Sequence, residues 1–250
     1  KTLLMHFVWR LEQEYKKKNL DMESTIRLIK KQNLGNPVTI KHLNFDISLD
    51  YALCLEEILF LYDFMNISNV LEIGAGCGRT CHSILSIHKN IEQYTICDLP
   101  EMLKFSSSYL REVLNESQYK KIKFIRNDQI EDTCNIDLSI NINSFQEVAP
   151  NVIENYLSII SNVSRMFFCK NPTGKYDPKS INLKIKNKEE FKYALNLGLC
   201  NDVIEIFDKV ELEKASEKYL LNYCPTGFYV EKDEMSYLWA QHHSVLYKKN

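Results

Sequence analysis

The residues best suited to chemistry are three glycines that follow a short apolar run. The segment 69–80 has the sequence NVLEIGAGCGRT, in which Gly74, Gly76 and Gly78 come directly after apolar and β-branched residues. A helical pattern follows at once, so the segment predicts a strand, a tight turn and a helix. Such a turn lets a ligand approach the N-terminus of the helix closely. The glycines therefore predict a ligand-binding turn.

The spacing of these glycines differs from that of a dinucleotide-binding turn. A dinucleotide fingerprint has the spacing G-x-G-x-x-G, and its third glycine packs the helix onto the strand. Here Arg79 occupies that position, and the third glycine comes one residue early. The spacing G-x-G-x-x-G does not occur elsewhere in the chain either. Both features argue against an NAD-dependent enzyme.

An acidic residue at the end of the next predicted strand adds to this signal. Asp98 follows the apolar segment 94–97 and lies 22 residues beyond Gly76, and Pro100 stops the strand. An acid about 20 residues after the turn can accept hydrogen bonds from both hydroxyls of a ribose. The alternative is that Asp98 caps a helix that starts near Glu101. We favour ribose binding because the turn and the acid occur together and in the right order.

Length and composition limit the class of protein. The 250 residues suffice for one domain of about 200 residues with an attachment. The net charge of −2 provides no basic face, which argues against a nucleic-acid partner. We expect no signal peptide and no membrane span, since no apolar run reaches roughly 18 residues. The eight cysteines include no C-x-x-C pair, and this indicates reduced thiols in a cytoplasmic protein.

The chain alternates between predicted strands and helices. We predict amphipathic helices within 1–32, a helix at 50–66, strands at 69–73, 93–97, 122–125, 136–142, 165–169 and 244–247, and helices at 80–88, 101–114 and 152–161. The region 173–230 is harder to interpret; it predicts a helix at 189–199 and a strand or hairpin within 219–230. Alternation of this kind indicates a doubly wound α/β sheet. We place an N-terminal helical extension at 1–50 and a ligand-binding domain at 51–250.

The carboxyl ends of the strands indicate further candidates, because ligands of open α/β sheets bind there. Asn127 and Asp128 follow the third strand, and a carboxylate there could accept a hydrogen bond from the amino group of an adenine. They could equally be turn residues. Asn171 follows the fifth strand and could bind the hydroxyl of a second substrate, or form a turn before Pro172. The fourth strand is followed by a dense group of polar residues: Asn143, Ser144, Gln146 and Glu147.

Two histidines at the end of the chain could supply a base. His242 and His243 directly precede the last predicted strand. Adjacent residues of a strand point to opposite faces, so we expect one of the two to enter a site, and we slightly favour His243. An imidazole pKa near 6.5 suits a base at neutral pH. Glu147 is the alternative base, and a structural role is the alternative for either histidine.

Together these segments resemble class I S-adenosylmethionine (SAM) methyltransferases and, more narrowly, the sugar O-methyltransferases of bacterial surface-polysaccharide clusters. The resemblance spans roughly 45–247, and it is carried by EIGAGCG at 72–78, CDLPE at 97–101, NSFQE at 143–147 and QHHSVLY at 241–247. It implies a Rossmann-like, mostly parallel sheet of seven strands whose last strand is antiparallel. It also implies SAM as cofactor, S-adenosylhomocysteine as product and a hydroxyl of a nucleotide- or lipid-linked sugar as acceptor, in capsule or lipopolysaccharide synthesis.

The resemblance assigns roles to these residues. Glu72 would lie near the amino group of the methionine of SAM; the alternative is a solvated acid at the end of the strand. The residues expected to bind the cofactor are Glu72, Gly74, Ala75, Gly76, Gly78, Asp98, Leu99, Asn127, Asp128 and Asn143. Those expected to bind the acceptor are Ser144, Gln146 and Asn171. Those expected to act in catalysis are Glu147, His243 and His242.

Several alternatives stay open at this point. A Mg²⁺ ion that binds a diol would need several carboxylates, and Asp128 and Glu147 lack a convincing third partner, so we favour base catalysis without a metal. The acceptor could instead be a small phenol or amine, because Asp-Leu-Pro also occurs in plant-type O-methyltransferases. A non-catalytic SAM-binding protein is a third hypothesis. The N-terminal helices could cover the cofactor, bind the acceptor or form a homodimer.

Overall fold

The computed structural model describes residues 1–178, 184–239 and 241–250. Within these residues the chain divides into two compact units, Lys1–Asp128 and Gln129–Asn250. The boundary that we predict at 50/51 lies inside the first unit and stays a prediction. No helix among the described residues is long and apolar enough to cross a membrane.

The first unit opens with helices that pack on one another. Its first elements are α1 (Thr2–Lys17), α2 (Met22–Leu28), β1 (Thr39–His42), β2 (Phe45–Ser48), α3 (Leu49–Leu61) and a 3₁₀ turn at Tyr62–Phe64. One face of α1 is buried at Phe7, Val8, Leu11 and Tyr15. The Tyr15 hydroxyl donates to the carbonyl oxygen of Leu55 in α3 at 2.9 Å. The amphipathic helices predicted at the N-terminus are therefore confirmed.

Strands β1 and β2 form an antiparallel hairpin that the sequence analysis misses. Thr39 at the start of β1 pairs with Ser48 at the end of β2. The turn is Leu43-Asn44, and Leu43 has a φ of 52°. Hairpin turns are usually marked by glycine at such a position, so leucine gives little signal. Ser48 then caps α3 by accepting a hydrogen bond from the backbone N–H of Tyr51 at 3.4 Å.

The rest of the first unit alternates between parallel strands and helices. Its elements are β3 (Asn69–Ile73), α4 (Arg79–Ile87), β4 (Gln93–Asp98), α5 (Pro100–Val113), α6 (Glu116–Tyr119), β5 (Ile122–Arg126) and a 3₁₀ turn at Asn127–Asp132 that continues into the second unit. The strands lie in the order β3-β4-β5. Because they are parallel, their carboxyl ends meet at one edge, where Ile73 pairs with Cys97 and Asp98 with Arg126.

The second unit contains the remaining strands of the sheet. Its elements are β6 (Ile136–Ile142), a 3₁₀ turn at Phe145–Glu147, α7 (Pro150–Val163), β7 (Ser164–Pro172), β8 (Lys175–Tyr176), α8 (Lys188–Leu195), β9 (Val203–Ile204), α9 (Lys209–Asn222), β10 (Phe228–Met235) and β11 (His242–Lys249). The order is β10-β11-β7-β6, with β7 parallel to β6 and antiparallel to β11. Stacked aromatic rings form the core: Phe145 lies on Tyr156 and Tyr223, and Phe167 lies on Tyr247.

The strands of both units belong to one seven-stranded sheet. The sheet is mostly parallel, and its last strand in the chain is antiparallel to its neighbours. Helices precede the sheet and alternate with its strands. The predicted fold class, a Rossmann-like doubly wound α/β sheet, is therefore confirmed.

Two predictions for the region 173–230 need correction. Helix α8 ends at Leu195 rather than at Leu199. The chain turns at Gly198, which has a φ of 79° and donates its backbone N–H to the carbonyl oxygen of Val148 at 2.8 Å. The part of 219–230 up to Asn222 belongs to α9, and strand structure begins only at Phe228.

Helix α9 was missed because its apolar face is narrow. Leu212, Ala215 and Tyr219 are buried at helical spacing. The intervening positions are mostly charged, so the periodicity in the sequence is weak. Leu212 and Ala215 pack with Ile204 of β9, and the Tyr219 hydroxyl accepts a hydrogen bond from the backbone N–H of Asn171 in β7 at 3.0 Å.

Candidate functional site

The glycine-rich turn of the first unit has the backbone that its sequence predicts. Gly74, Gly76 and Gly78 all have positive φ angles, of 73°, 58° and 86°. A Cβ atom added to Gly78 would lie 2.7 Å from Leu110 Cδ1, so packing also excludes a side chain there. A Cβ atom added to Gly76 would meet nothing within 4 Å. The backbone is thus bare on one side of the turn, where a ligand can approach it.

Asp98 is joined directly to this turn. Its Oδ2 accepts a hydrogen bond from the backbone N–H of Gly76 at 3.0 Å, and its Oδ1 accepts one from Leu99 at 2.8 Å. Helix α5 begins at Pro100, and its N-cap residue Leu99 makes no side-chain cap. The alternative of a helix-capping role for Asp98 is therefore wrong. The carboxylate is fixed at the strand end while each oxygen keeps lone pairs for a ligand.

Glu72 lies in β3, two residues before the first glycine, and is buried. Its Oε2 accepts a hydrogen bond from the Tyr94 hydroxyl at 2.8 Å. Burial raises the pKa of the Glu72 carboxyl to about 7, while the hydrogen bond and the nearby Arg79 act in the opposite direction. The alternative of a solvated acid is therefore wrong. A buried carboxyl with this pKa can change its charge when a cation binds beside it.

Arg79 has a structural role that the sequence analysis does not find. Its guanidinium donates to the backbone carbonyl oxygen of Asp50 at 2.6 Å and to Glu57 Oε1 at 3.4 Å. The side chains of Arg79 and Glu57 are both largely buried. The pair ties α3 to the first turn of α4, so the residue that replaces the third dinucleotide glycine anchors the glycine-rich turn.

Asn127 and Asp128 lie in the 3₁₀ turn after β5. Both carboxylate oxygens of Asp128 accept hydrogen bonds from Arg126, at 3.0 and 2.9 Å. The side chains of this ion pair are exposed. The geometry fits the turn interpretation, and adenine recognition by these residues stays a prediction.

The polar segment after β6 forms a tight turn. Asn143 has a φ of 56° and donates its backbone N–H to the carbonyl oxygen of Lys170 at 2.9 Å. Ser144 Oγ accepts a hydrogen bond from Asn141 Nδ2 at 2.6 Å, and Gln146 Nε2 donates to the carbonyl oxygen of Asn143 at 3.1 Å. The side chains of Ser144 and Gln146 therefore stabilise this turn.

A cavity of about 500 Å³ lies within the second unit. Gln146, Glu147, Lys175 and His242 contribute polar groups to its wall. The rest of the wall is mainly apolar: Pro172, Tyr176, Phe191, Ala194, Leu195 and Leu197. Of the predicted residues, Glu147, Gln146 and His242 are therefore brought together, and a wall of this composition suits a small organic ligand.

The two adjacent histidines lie in different surroundings. His242 lines the cavity, and its buried Nδ1 has no hydrogen-bond partner among the described residues. Burial, together with the positive charge of Lys170, lowers the pKa of His242 to about 4. His243 is buried with both ring nitrogens engaged, Nε2 with Asp233 Oδ2 at 2.8 Å and Nδ1 with Ser216 Oγ at 3.2 Å.

Asn171 is fully buried and does not line the cavity. Its Nδ2 donates to Asn141 Oδ1 at 2.8 Å, and its backbone N–H donates to the Tyr219 hydroxyl at 3.0 Å. These bonds hold β7 against β6 and α9. A role of Asn171 in acceptor binding stays a prediction.

Three residues of the cavity wall carry no signal in the sequence: Lys175, Tyr176 and Phe191. Each lies in the region 173–230, where no motif is recognisable. The described residues contain no group of three or more His, Cys, Asp or Glu side chains that could hold a metal ion. All eight cysteines are free thiols.

Comparison with known proteins shows the fold. No protein-family model matches the sequence, and no curated protein matches it. The methyltransferase domain of bacterial CtHen1-C matches with a TM-score of 0.55 and 15% identity, over 79% of this chain and 97% of that one. Magnesium protoporphyrin IX methyltransferase (ChlM) from Synechocystis, with bound S-adenosylhomocysteine, matches with a TM-score of 0.50 and 12% identity, over 84% and 90%.

A third match differs in length. Mitomycin 7-O-methyltransferase MmcR has a TM-score of 0.49 and 14% identity over 76% of this chain, and the chain spans 51% of MmcR. At identities this low the matches with CtHen1-C and ChlM show a shared fold. The chain therefore has the Rossmann-like fold of these methyltransferases.

Proposed function

We propose that the protein is a SAM-dependent O-methyltransferase. The observation that carries the proposal is the glycine-rich turn bonded to Asp98 through the N–H of Gly76. The open space over Gly76 and the fixed carboxylate fit a ribose and the amino-acid part of SAM. The fold that the chain shares with CtHen1-C and ChlM supports the same reading.

Glu72 would receive the positively charged amino group of the cofactor. Its carboxyl is buried and has a pKa of about 7 without a ligand. A cation placed beside it would favour the carboxylate and so lower this pKa. Binding of the ammonium group would therefore be coupled to the loss of a proton from Glu72 near neutral pH.

The cavity of the second unit would bind the acceptor. When bound, SAM supplies an activated methyl group; the residues of this chain would hold the acceptor hydroxyl and take its proton. His242 can take this role because it lines the cavity and its imidazole is neutral at pH 7, although burial makes it a weaker base than an ordinary histidine. We assign the base to His242 rather than His243, since both ring nitrogens of His243 are engaged elsewhere. Glu147 in the same wall is the alternative base.

We propose a sugar hydroxyl as acceptor, in line with the sequence resemblance. Tyr176 and Phe191 in the cavity wall support this, because aromatic rings can pack on the apolar face of a sugar. The other apolar side chains favour a second candidate, a small phenol. The polysaccharide context, the cytoplasmic location and a homodimer stay predictions.

The proposal is tested in two steps on the complete chain. Calorimetric titration with SAM and with S-adenosylhomocysteine should show saturable binding at one site per chain. Turnover is then measured with methyl-labelled SAM over a panel of nucleotide sugars, free sugars and phenols. Well-folded protein that binds neither nucleoside would refute the proposal, and binding without product from any acceptor would favour a non-catalytic SAM-binding protein.

A further inference from the structure

Lys175 is held rigidly at the edge of the cavity. It lies in the short strand β8, and its backbone N–H donates to the carbonyl oxygen of Asp202 at 2.8 Å. A Cβ atom added to the preceding Gly174 would lie 2.9 Å from that same carbonyl oxygen. The backbone of β8 therefore packs closely against the chain before β9, and this fixes the point from which the lysine side chain extends.

Among the described residues, the ammonium group of Lys175 has a single hydrogen-bond partner. Nζ donates to the carbonyl oxygen of Gln146 at 3.3 Å, and an ammonium group has three donors. Among the residues that the structure describes, no carboxylate oxygen lies within 4 Å of it. The side chain is half-buried, and burial lowers the pKa of Lys175 from that of an ordinary lysine.

Among the described residues, no acidic group makes an ion pair with this ammonium group. Asp202 pairs instead with Lys218 at 2.5 Å, and Asp233 pairs with His243. Glu147 and the thiol of Cys200 are near enough to favour the charged lysine without contacting it. A half-buried cation with free donors in a cavity wall is suited to bind an anion from outside the chain.

We propose that the acceptor carries an anionic substituent, a phosphate or a carboxylate, which Lys175 binds while the aromatic side chains of the wall pack on the acceptor body. This inference rests on the proposed function, because it takes the cavity to be the acceptor site. It assigns Lys175 as the residue that distinguishes an acidic or phosphorylated sugar from a neutral one.

The test compares matched sugars that differ in charge. Glucose, glucose 1-phosphate and glucuronate are titrated into the complete chain, and binding is followed by ligand-observed NMR without SAM. We expect one of the two anionic sugars to bind about tenfold or more tightly than glucose, and the arm that succeeds identifies phosphate or carboxylate. Lys175→Met should abolish this preference, while Lys175→Arg should retain it.

Lys214→Met is the control, because Lys214 is an exposed lysine of α9. Thermal melting of each variant shows that it is folded. Equal binding of all three sugars, or a preference that survives Lys175→Met, would overturn the inference. SAM titration of the same samples separates the two proposals. If the wild-type protein prefers an anionic sugar but does not bind SAM, the proposed function is refuted and the anion-binding role of Lys175 is retained.

Discussion

The glycine-rich turn of the first unit and the cavity of the second unit are built in different ways. The turn is formed by residues 74–78, and its acid lies at the end of the next strand. It presents backbone groups whose positions follow from positive φ angles. The cavity is formed by side chains from positions as far apart as 146 and 242.

The two regions also differ in how well their own polar groups are satisfied. Both oxygens of Asp98 accept hydrogen bonds from the chain. In the cavity, His242 Nδ1 has no partner among the described residues, and Lys175 makes one hydrogen bond. The turn is therefore held by hydrogen bonds within the chain, whereas the ammonium group of Lys175 keeps donors for a ligand. Substitutions in the two regions should separate cofactor binding from turnover.

The largest effect is expected at His242. His242→Gln should lower turnover by about two to four orders of magnitude, because the group that takes the acceptor proton is lost. SAM affinity should stay within about twofold. Because the pKa of His242 is about 4, its protonation should not limit the wild-type rate above about pH 5. His6→Gln, at an exposed histidine of α1, is the control, and a His242 variant with full turnover contradicts the assignment.

Glu72→Gln, beside the glycine-rich turn, should raise the folding stability of the protein at high pH and weaken its binding of SAM. The carboxyl has a folded-state pKa of about 7 against 4.5 as its ordinary value. Its contribution to stability is therefore fully present below pH 4.5 and is lost as the pH rises through 7. At pH 8 the variant should be more stable than the wild type by up to about 3 kcal/mol, with no gain near pH 4.5.

Urea unfolding at the two pH values measures this difference, and Glu92→Gln at an exposed glutamate is the control. The Glu72→Gln variant should also bind SAM more weakly than the wild type, because a neutral amide cannot form an ion pair with an ammonium group. A Glu72 variant whose stability gain does not depend on pH would show that the buried carboxyl is not the cause.

Two glycines of the turn should lose different amounts of folding stability on the same substitution. Gly78→Ala should cost about 2–4 kcal/mol of folding stability, from the contact with Leu110 and from the left-handed backbone. Gly76→Ala should cost only about 1–2 kcal/mol of folding stability, from the left-handed backbone alone, because the added Cβ meets no atom. It should still weaken SAM binding, because the Cβ fills the open face of the turn. Chemical unfolding and calorimetry on both variants give the comparison; equal stability losses would contradict it.

A smaller effect than at His242 is expected at Asp98. Asp98→Ala should weaken SAM binding by about 1–3 kcal/mol, because a charged hydrogen-bond acceptor is lost. Binding of sugars in the cavity should not change. Asp63→Ala, at an exposed aspartate of the same unit, serves as the reference, and unchanged SAM affinity in the Asp98 variant would exclude its ribose role.

Much of the fold could be predicted because local pattern and backbone chemistry decide it. The strands at 69–73 and 136–142 have the bounds that the sequence predicts, and the parallel alternation follows from them. The glycine-rich turn is local as well, since its conformation depends on residues that lack Cβ atoms. The hairpin at 39–48 could not be predicted, because its turn has leucine where glycine is expected.

The sequence by itself determined the sheet, the glycine-rich turn and the acid beside it. These features depend on neighbouring residues along the chain and on the regular alternation of strands and helices. Only the tertiary structure decided which histidine lines the cavity. His243 pairs with Asp233 of β10 and Ser216 of α9, and His242 Nδ1 has no hydrogen-bond partner in the part of the chain that the structure describes. Lys175 likewise reaches the cavity through the packing of β8. These outcomes depend on contacts between distant segments, which short-range periodicity does not encode.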